Sequence, residues 1–279
     1  MNKQYLAPLL FLLFALNSKA QDLKVVDSTK LICTYNYEFL QDSTSNYSLK
    51  SDQMILQIGS QMSKFNSLTS YILDSVLFLN QGKITDLAAF AKLSLQSVSG
   101  VSISSMSRYK IYKNYPGKGL LIFTEYGDRK FYKVEQPMRM EWKLDLKNDS
   151  MILGYKCQKA YTTYAGRDYI AWYSPQIPLP DGPYKFNGLP GLILKINDTK
   201  NQHRFTLYSI KKVAYNQSIT LRTGSFVDIT AEDYIKIKKN DMVSMSEYLQ
   251  SGAVTFNNEE SKARALNGLK TTNNFIEKF

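Results

Sequence analysis

Between Arg108 and Val213 the chain repeats one unit, a short run of alternating apolar and polar residues closed by a turn signal. The runs are Tyr109 to Tyr112, Leu120 to Tyr126, Lys130 to Glu135, Met140 to Leu146, Lys156 to Tyr164 and Asp168 to Tyr173. Between them stand Pro116-Gly117, Gly127-Asp128, Pro137, Asn148-Asp149 and Gly166. Period-2 runs punctuated at this spacing predict a continuous antiparallel meander. Upstream, Leu31, Cys33, Tyr35, Tyr37 and Phe39 share one face of a strand over Thr29 to Leu40. After the polar turn Asp42 to Asn46, Met54, Leu56 and Ile58 alternate again. A sheet of about eight long strands or more curls. The expected class is therefore mainly β (α+β), a strongly curled antiparallel sheet or open half-barrel with short helices packed on it.

The helices follow from changes of period. Leu68, Tyr71, Ile72, Val76 and Leu79 fall at helical spacing, as do Leu87, Phe90, Ala91 and Leu95 after a Thr85 cap. Such amphipathic segments either pack on one face of a sheet or cover an apolar cavity. Val98 to Ser107 is serine-rich and reads as a loop. Thr230 with Asp233 forms a capping-box-like start for a helix through about Gln250. Without repeats or low-complexity linkers, residues 21–255 read as a single domain and 256–279 as a polar surface tail.

Gly182 to Ile196 is the most sharply written stretch. Two tight turns, Asn187-Gly188 and Pro190-Gly191, feed the alternating strand Leu192 to Ile196. Pro190 presets φ for a type II turn in which Gly191 supplies the positive φ. Pro175, Pro178, Pro180 and Pro183 stiffen the approach. Around it cluster Trp172, Tyr173, Tyr184 and Phe186 with Arg167 and Lys185. In one reading these six form a rigid aromatic and basic recognition loop, Arg167 taking a carboxylate or phosphate. In the other, Trp172 plugs the barrel and Arg167 pairs with Asp168 or Glu141, because a curled sheet needs rigid corners.

Residues 1–20 have the form of a removable export signal: Lys3, an apolar run from Leu6 to Leu16, and Ser18-Lys19-Ala20 at the cut. Gln21 follows the cut rather than Cys, which argues against a lipid anchor there. Cleavage removes Lys3 and Lys19 and takes the formal charge from +11 to +9. No later run approaches the roughly 20 apolar residues of a membrane span. The basic residues are spread singly, which suits weak attraction to anionic membranes or polymers and not a nucleic-acid site. In an oxidising compartment Cys33 and Cys157 either form one disulfide or stay as two buried thiols.

Catalysis finds little support. The chain has one histidine, His203, which any Ser-His-Asp or Cys-His site would have to use. Two distant cysteines and that histidine make no metal cluster, and no phosphate-binding glycine loop is present. Ser107 to Lys110 matches Ser-x-x-Lys but leads into a strand and lacks the companion motifs of penicillin-recognising enzymes. The expectation is a non-enzyme without cofactor or metal.

Gly188, Leu189, Pro190, Gly191, Leu192 and Ile193 spell the signature of the GLPGLI family of exported Bacteroidetes-type proteins, which this chain resembles. Ile152 to Ala160, Gly166 to Tyr173 and Ile177-Pro178 match further family runs. Ser63-Lys64-Phe65-Asn66-Ser67 resembles another, with Asn66 in place of the usual aromatic, and Asn274-Phe275-Ile276-Glu277 resembles the closing run, with Phe275 in place of Pro. The resemblance implies an exported envelope protein of β-rich fold and brings no activity with it. The expected form is also similar to the carriers of outer-membrane lipoprotein sorting. Two functions follow as expectations. One is a non-catalytic binding protein for an apolar or lipid-like ligand, in the periplasm, at the outer membrane or outside the cell. The other is a module docking on an outer-membrane transporter or secretion component through the loop 172–190.

Overall fold

The computed structural model describes residues 23–80, 107–127, 130–251, 256 and 258–278. The expected leader, the helix expected after Thr85 and nearly all of the serine-rich loop lie outside the described residues.

Among the described residues twelve strands form one open sheet in the order β12-β6-β5-β4-β3-β2-β1-β11-β10-β9-β8-β7. They are β1 (Leu23–Leu40), β2 (Leu49–Ile58), β3 (Ser63–Ser67), β4 (Lys110–Lys113), β5 (Leu120–Gly127), β6 (Lys130–Pro137), β7 (Lys143–Ile152), β8 (Tyr155–Tyr164), β9 (Arg167–Ser174), β10 (Leu192–Asp198), β11 (His203–Arg222) and β12 (Val227–Asp228). The helices are α1 (Leu68–Leu79), α2 (Ala231–Gln250) and α3 (Glu259–Lys270). Neighbours are antiparallel except the short β12, which runs parallel to β6. No helix among the described residues is long and apolar enough to cross a membrane.

The meander expected from Arg108 onward is two meanders. β1 to β6 form one half, β7 to β11 the other, and β1 joins β11 between them. β6 and β7 are consecutive in the chain yet lie toward opposite ends of the sheet. Only residues 138–142 connect them, and six Cα steps span at most about 23 Å. The two ends must therefore approach each other, which curls the sheet. Curling follows from connectivity as well as from twist.

Local corrections have local causes. The turn expected at Asn148-Asp149 sits at Leu153-Gly154, both at positive φ (51° and 79°), as a tight two-residue hairpin requires. Asn148 instead belongs to an irregularity in β7, where the register on β8 jumps between Asp145 and Asp149. Gly188 takes φ +90°, whereas Gly191 does not use the left-handed region. Gly191 is needed for close approach, since a Cβ there would lie 2.1 Å from the Ser174 carbonyl oxygen. β10 is buried on both faces: Leu192, Ile193, Leu194 and Ile196 are all out of water. The reason is that Ile193 packs on the backbone of Gly182, within the loop that doubles back over the strand.

The inner face of the curl is lined by Tyr35, Tyr37, Leu56, Phe65, Phe123, Tyr169, Tyr173 and Phe205, all buried. The loop 175–191 fills most of the hollow, bringing Tyr184, Phe186 and Leu189 into the same core. Cys33 and Cys157 also belong to this core and are both free thiols, so the disulfide alternative is not realised. Burial pushes the Cys33 thiol up to about 12 and that of Cys157 to about 11.

Candidate functional site

Buried cations, each met by an acid, hold the interior together. Lys113 of β4 reaches Asp181 and donates to the carbonyl of Gly182 at 2.5 Å, clamping the loop from below. Lys64 of β3 meets Asp74 of α1 at 2.7 Å, which seats that helix. Lys185 meets Glu277 at 2.6 Å, and Arg167 meets Asp198 at 3.0 Å. Buried charges are tolerated only when paired and hydrogen-bonded, so each pair fixes two segments distant in sequence.

The last two pairs overturn the expectation of a polar surface tail. α3 occupies residues 259–270, and beyond it the chain turns inward. Asn274 and Glu277 are buried. Arg167 donates to the Asn274 side-chain oxygen at 2.5 Å and the Phe275 carbonyl at 2.6 Å, as well as to Asp198 and Gln202. Tyr169 donates to the Ile276 carbonyl, and the amide of Lys278 to that of Ala165. Glu277 accepts from the hydroxyls of Tyr164 and Tyr184 in addition to Lys185. The polar residues that made this segment read as a tail are the ones that bind it.

The six residues expected to form a recognition loop are accounted for. Arg167, Tyr173, Tyr184, Lys185 and Phe186 are buried, so none of them offers a surface. Arg167 pairs with Asp198 and with neither Asp168 nor Glu141; Asp168 instead accepts from Thr163. Trp172 is half-buried on the face of β9 opposite Tyr173, with the Lys159 ammonium over its ring, so it does not plug the barrel. Tyr169, Tyr173 and Phe186 do. Alternation on β9 decides this, since Arg167, Tyr169, Ala171 and Tyr173 share the inward face. The loop 175–191 carries only Tyr184 and Phe186 as aromatics, both turned inward.

What remains of the hollow is a cavity of about 180 Å³ at its mouth. Its aromatic wall comes from Tyr37 and Phe39 of β1, Tyr109 just before β4, Phe123 of β5, Tyr184 of the loop and Tyr234 of α2. Tyr37 stacks on Phe205 at 4.1 Å between centroids and on Phe39 at 4.8 Å. Tyr109 stacks on Phe123 and meets Tyr184 edge-on. Phe275 and Ile276 of the tail close one side. At the rim Glu125 accepts from Tyr234 and, at 3.0 Å, from Lys238.

His203 stands in the same wall, 1 % exposed. Its Nδ1 lies 2.8 Å from the Tyr37 hydroxyl. Burial, with Arg167 and Lys278 adding positive charge, holds the imidazole neutral down to about 3. The cavity thus brings His203 together with two acids and several hydroxyls. However, the histidine is oriented by a phenol, and both carboxylates are engaged by lysines. A base this weak is poorly suited to proton abstraction near neutrality. No group of three metal-capable side chains occurs among the described residues.

A second, open groove of about 1120 Å³ runs along edge strand β7, lined by Trp142 to Lys147 and Tyr161 to Thr163. Sequence reasoning did not find the mouth cavity, because its wall is drawn from β1, β5, β11, the loop, α2 and the tail. The available signal was the aromatic inner face of β1 and the closing Asn-Phe-Ile-Glu.

Residues 162–195 match a family model described as "Protein of unknown function (Porph_ging)". The match runs from the end of β8 through β9 and the loop into β10, and contains Gly188 to Ile193. No curated protein matches the chain. The fold is similar to the solved structure titled "Structure of PNGF-II in P21 space group", with a TM-score of 0.50 and 13 % identity, over 77 % of this chain and 34 % of that one. A second, "Structure of PNGF-II in C2 space group", gives 0.49 and 13 %, over 77 % and 33 %. The chain spans about a third of the length of these structures. At this identity the likeness concerns fold alone.

Proposed function

We propose that this chain is an exported, GLPGLI-type protein of the cell envelope that binds a small, largely apolar ligand in the mouth of its curled sheet and performs no catalysis. The observation that carries the reading is the aromatic cavity of about 180 Å³ left open in an interior otherwise filled by its own loop. Cavities lined by aromatic side chains with a few placed polar groups are the usual form of a ligand site. Its volume suits a ring or a short branched group better than a whole acyl chain, so a lipid-like ligand would insert one end only. Similarity to the carriers of lipoprotein sorting is an analogy drawn from the expected form of the sheet and carries no weight in this reading. The leader-like residues 1–20 support export, with the mature protein in the periplasm, at the outer membrane or outside the cell. The docking alternative has less behind it, because the loop 175–191 turns its aromatics inward.

Native mass spectrometry of protein purified from its own envelope, followed by solvent extraction, tests the proposal. The expected result is a co-purifying small molecule that is lost in Thr272→Trp, which fills the cavity from its half-exposed rim. Recovery of the bare protein, with no small probe bound on titration, would overturn it.

A further inference from the structure

Two segments cover the mouth cavity, the C-terminal segment and α2, and they are fastened very differently. The C-terminal segment buries Asn274 and Glu277 and bonds them to Arg167, Tyr164, Tyr184 and Lys185. Of the described side chains of α2, Ile235 alone is buried, and α3 buries none. Segments with few buried apolar contacts open at low free energy, independently of the rest of a fold. We infer that α2 is the gate of the cavity: it lifts off β5 and returns while the sheet and the C-terminal segment stay in place, and Glu125 is the latch that holds it shut. This concerns access to the cavity and rests on the cavity being a binding site.

The latch follows from the way a helix lies along a strand. Tyr234, Lys238 and Asp241 stand at i, i+4 and i+7, on one face of α2. Phe123, Glu125 and Gly127 share one face of β5 and meet them in order. Tyr234 packs edge-on against Phe123 at 4.9 Å between centroids. Glu125 accepts from the Tyr234 hydroxyl and, at 3.0 Å, from the Lys238 ammonium. An added Cβ on Gly127 would lie 3.7 Å from the Asp241 carboxylate, so at the strand end the helix meets backbone. Glu125 is therefore where the polar bonds between helix and strand converge, and bonds to an ionised acceptor are roughly twice as strong as neutral ones. The pivot lies just upstream. The Ile229 amide donates to the Lys133 carbonyl at 3.0 Å and β12 pairs with β6, which fixes the chain up to the Thr230 cap. α2 turns about Thr230, and the side that it lifts, Tyr234, Ile235 and Lys238, is the side that lines the cavity.

Ile235→Cys turns the gate into a reporter. A thiol facing the cavity reacts only when α2 lifts, whereas the buried native Cys33 reacts only when the sheet opens. Alkylation with iodoacetamide in rising urea, followed by mass spectrometry of the thiol peptides, reads both in one molecule, and an unreactive Cys33 in buffer shows that the variant is folded. The expected result is labelling at position 235 at least about 10-fold slower than in denaturant, at least about 10-fold faster than at Cys33, and nearly independent of low urea. Cys33 labelling should instead rise steeply with urea, as exposure of a large surface requires. Glu125→Gln should speed labelling at position 235 about 10-fold while it stays independent of urea. Gly188→Ala, which weakens the fold away from the gate, should speed labelling of Cys33 and leave position 235 unchanged. If both thiols react together with one urea dependence, if Gly188→Ala speeds both alike, or if position 235 labels as fast as in denaturant, the gate is overturned. An unchanged rate in Glu125→Gln overturns the latch. No ligand enters the measurement, so its failure is distinct from that of the binding reading, which the envelope extraction tests.

Discussion

The Lys185 ammonium and the Glu277 carboxylate meet at 2.6 Å with 3 % and 2 % of their side chains exposed. One belongs to the loop that fills the hollow, the other to the second-to-last described residue. The pair therefore ties the end of the chain to its centre. Tyr164 and Tyr184 donate to the same carboxylate oxygen, so removing it strands three donors at once. Glu277→Leu is expected to cost roughly 3–5 kcal/mol, as is Lys185→Met. In the double variant the charges vanish together, and the loss should be at least about 1 kcal/mol smaller than the two single losses combined. Urea midpoints of the four proteins measure this. Strict additivity would mean that the tail is not held by the pair.

Stability should fall as pH drops from about 6.5. The folded His203 resists protonation down to about 3, whereas the unfolded residue takes its proton near 6.5. In that window the unfolded chain binds more protons, so stability declines with acid by up to about 1.4 kcal/mol per pH unit. Asp74, lowered to about 2 despite its burial because Lys110 and Lys64 face it, adds a second loss only below about 3.8. Urea midpoints at pH 7.0, 6.0 and 5.0, values outside the Asp74 range, isolate the histidine. His203→Asn should flatten that interval and leave the acid limb below pH 4.

Two glycines of one signature should differ sharply. Gly191→Ala places a Cβ 2.1 Å from the Ser174 carbonyl oxygen and 2.5 Å from its carbon, both backbone atoms that cannot swing aside. Gly188→Ala meets nothing nearer than the Trp142 indole nitrogen at 3.9 Å and bears only the strain of φ +90°, roughly 1–3 kcal/mol. Thermal melts should therefore show Gly188→Ala folded with a lowered midpoint and Gly191→Ala largely unfolded. Similar midpoints for the two would contradict the close approach.

Neither thiol should react in the native state. Cys33 and Cys157 are both fully buried with raised pKa values, and reaction needs an accessible thiolate. A chromogenic disulfide reagent should titrate two thiols in denaturant and essentially none in buffer, and reductant should leave the melting midpoint unchanged. A reductant-sensitive midpoint would indicate the bond after all.

Much of the fold was legible along the chain. Period-2 alternation located the inner face of β1 and the run that becomes β9, because a pleated strand turns every second side chain the same way. Helical spacing located α1 and the Thr230 cap located α2, the Thr230 hydroxyl accepting from the Asp233 amide. The candidate site was less legible. Arg167, Tyr184 and Lys185 read along the chain either as a recognition loop or as a rigid corner with Arg167 paired to a nearby acid, and the structure buries all three, with Asp198 and Glu277 as their acids. A cation next to an aromatic reads as exposed until its acid is known, and the acids, Asp198 and Glu277, lie 31 and 92 positions downstream.

Local chemistry alone, then, determined that this chain makes a many-stranded β structure with a stiff corner at Gly188 to Ile193, since alternation and turn preferences act between residues a few positions apart. Tertiary structure alone decided that β6 and β7 stand toward opposite ends of the sheet, that the loop and the C-terminal segment lock inside the curl, and that a small aromatic cavity survives at its mouth. Those outcomes depend on buried charges finding partners far away in sequence, and pairing over such distances leaves no periodic trace in the order of the residues.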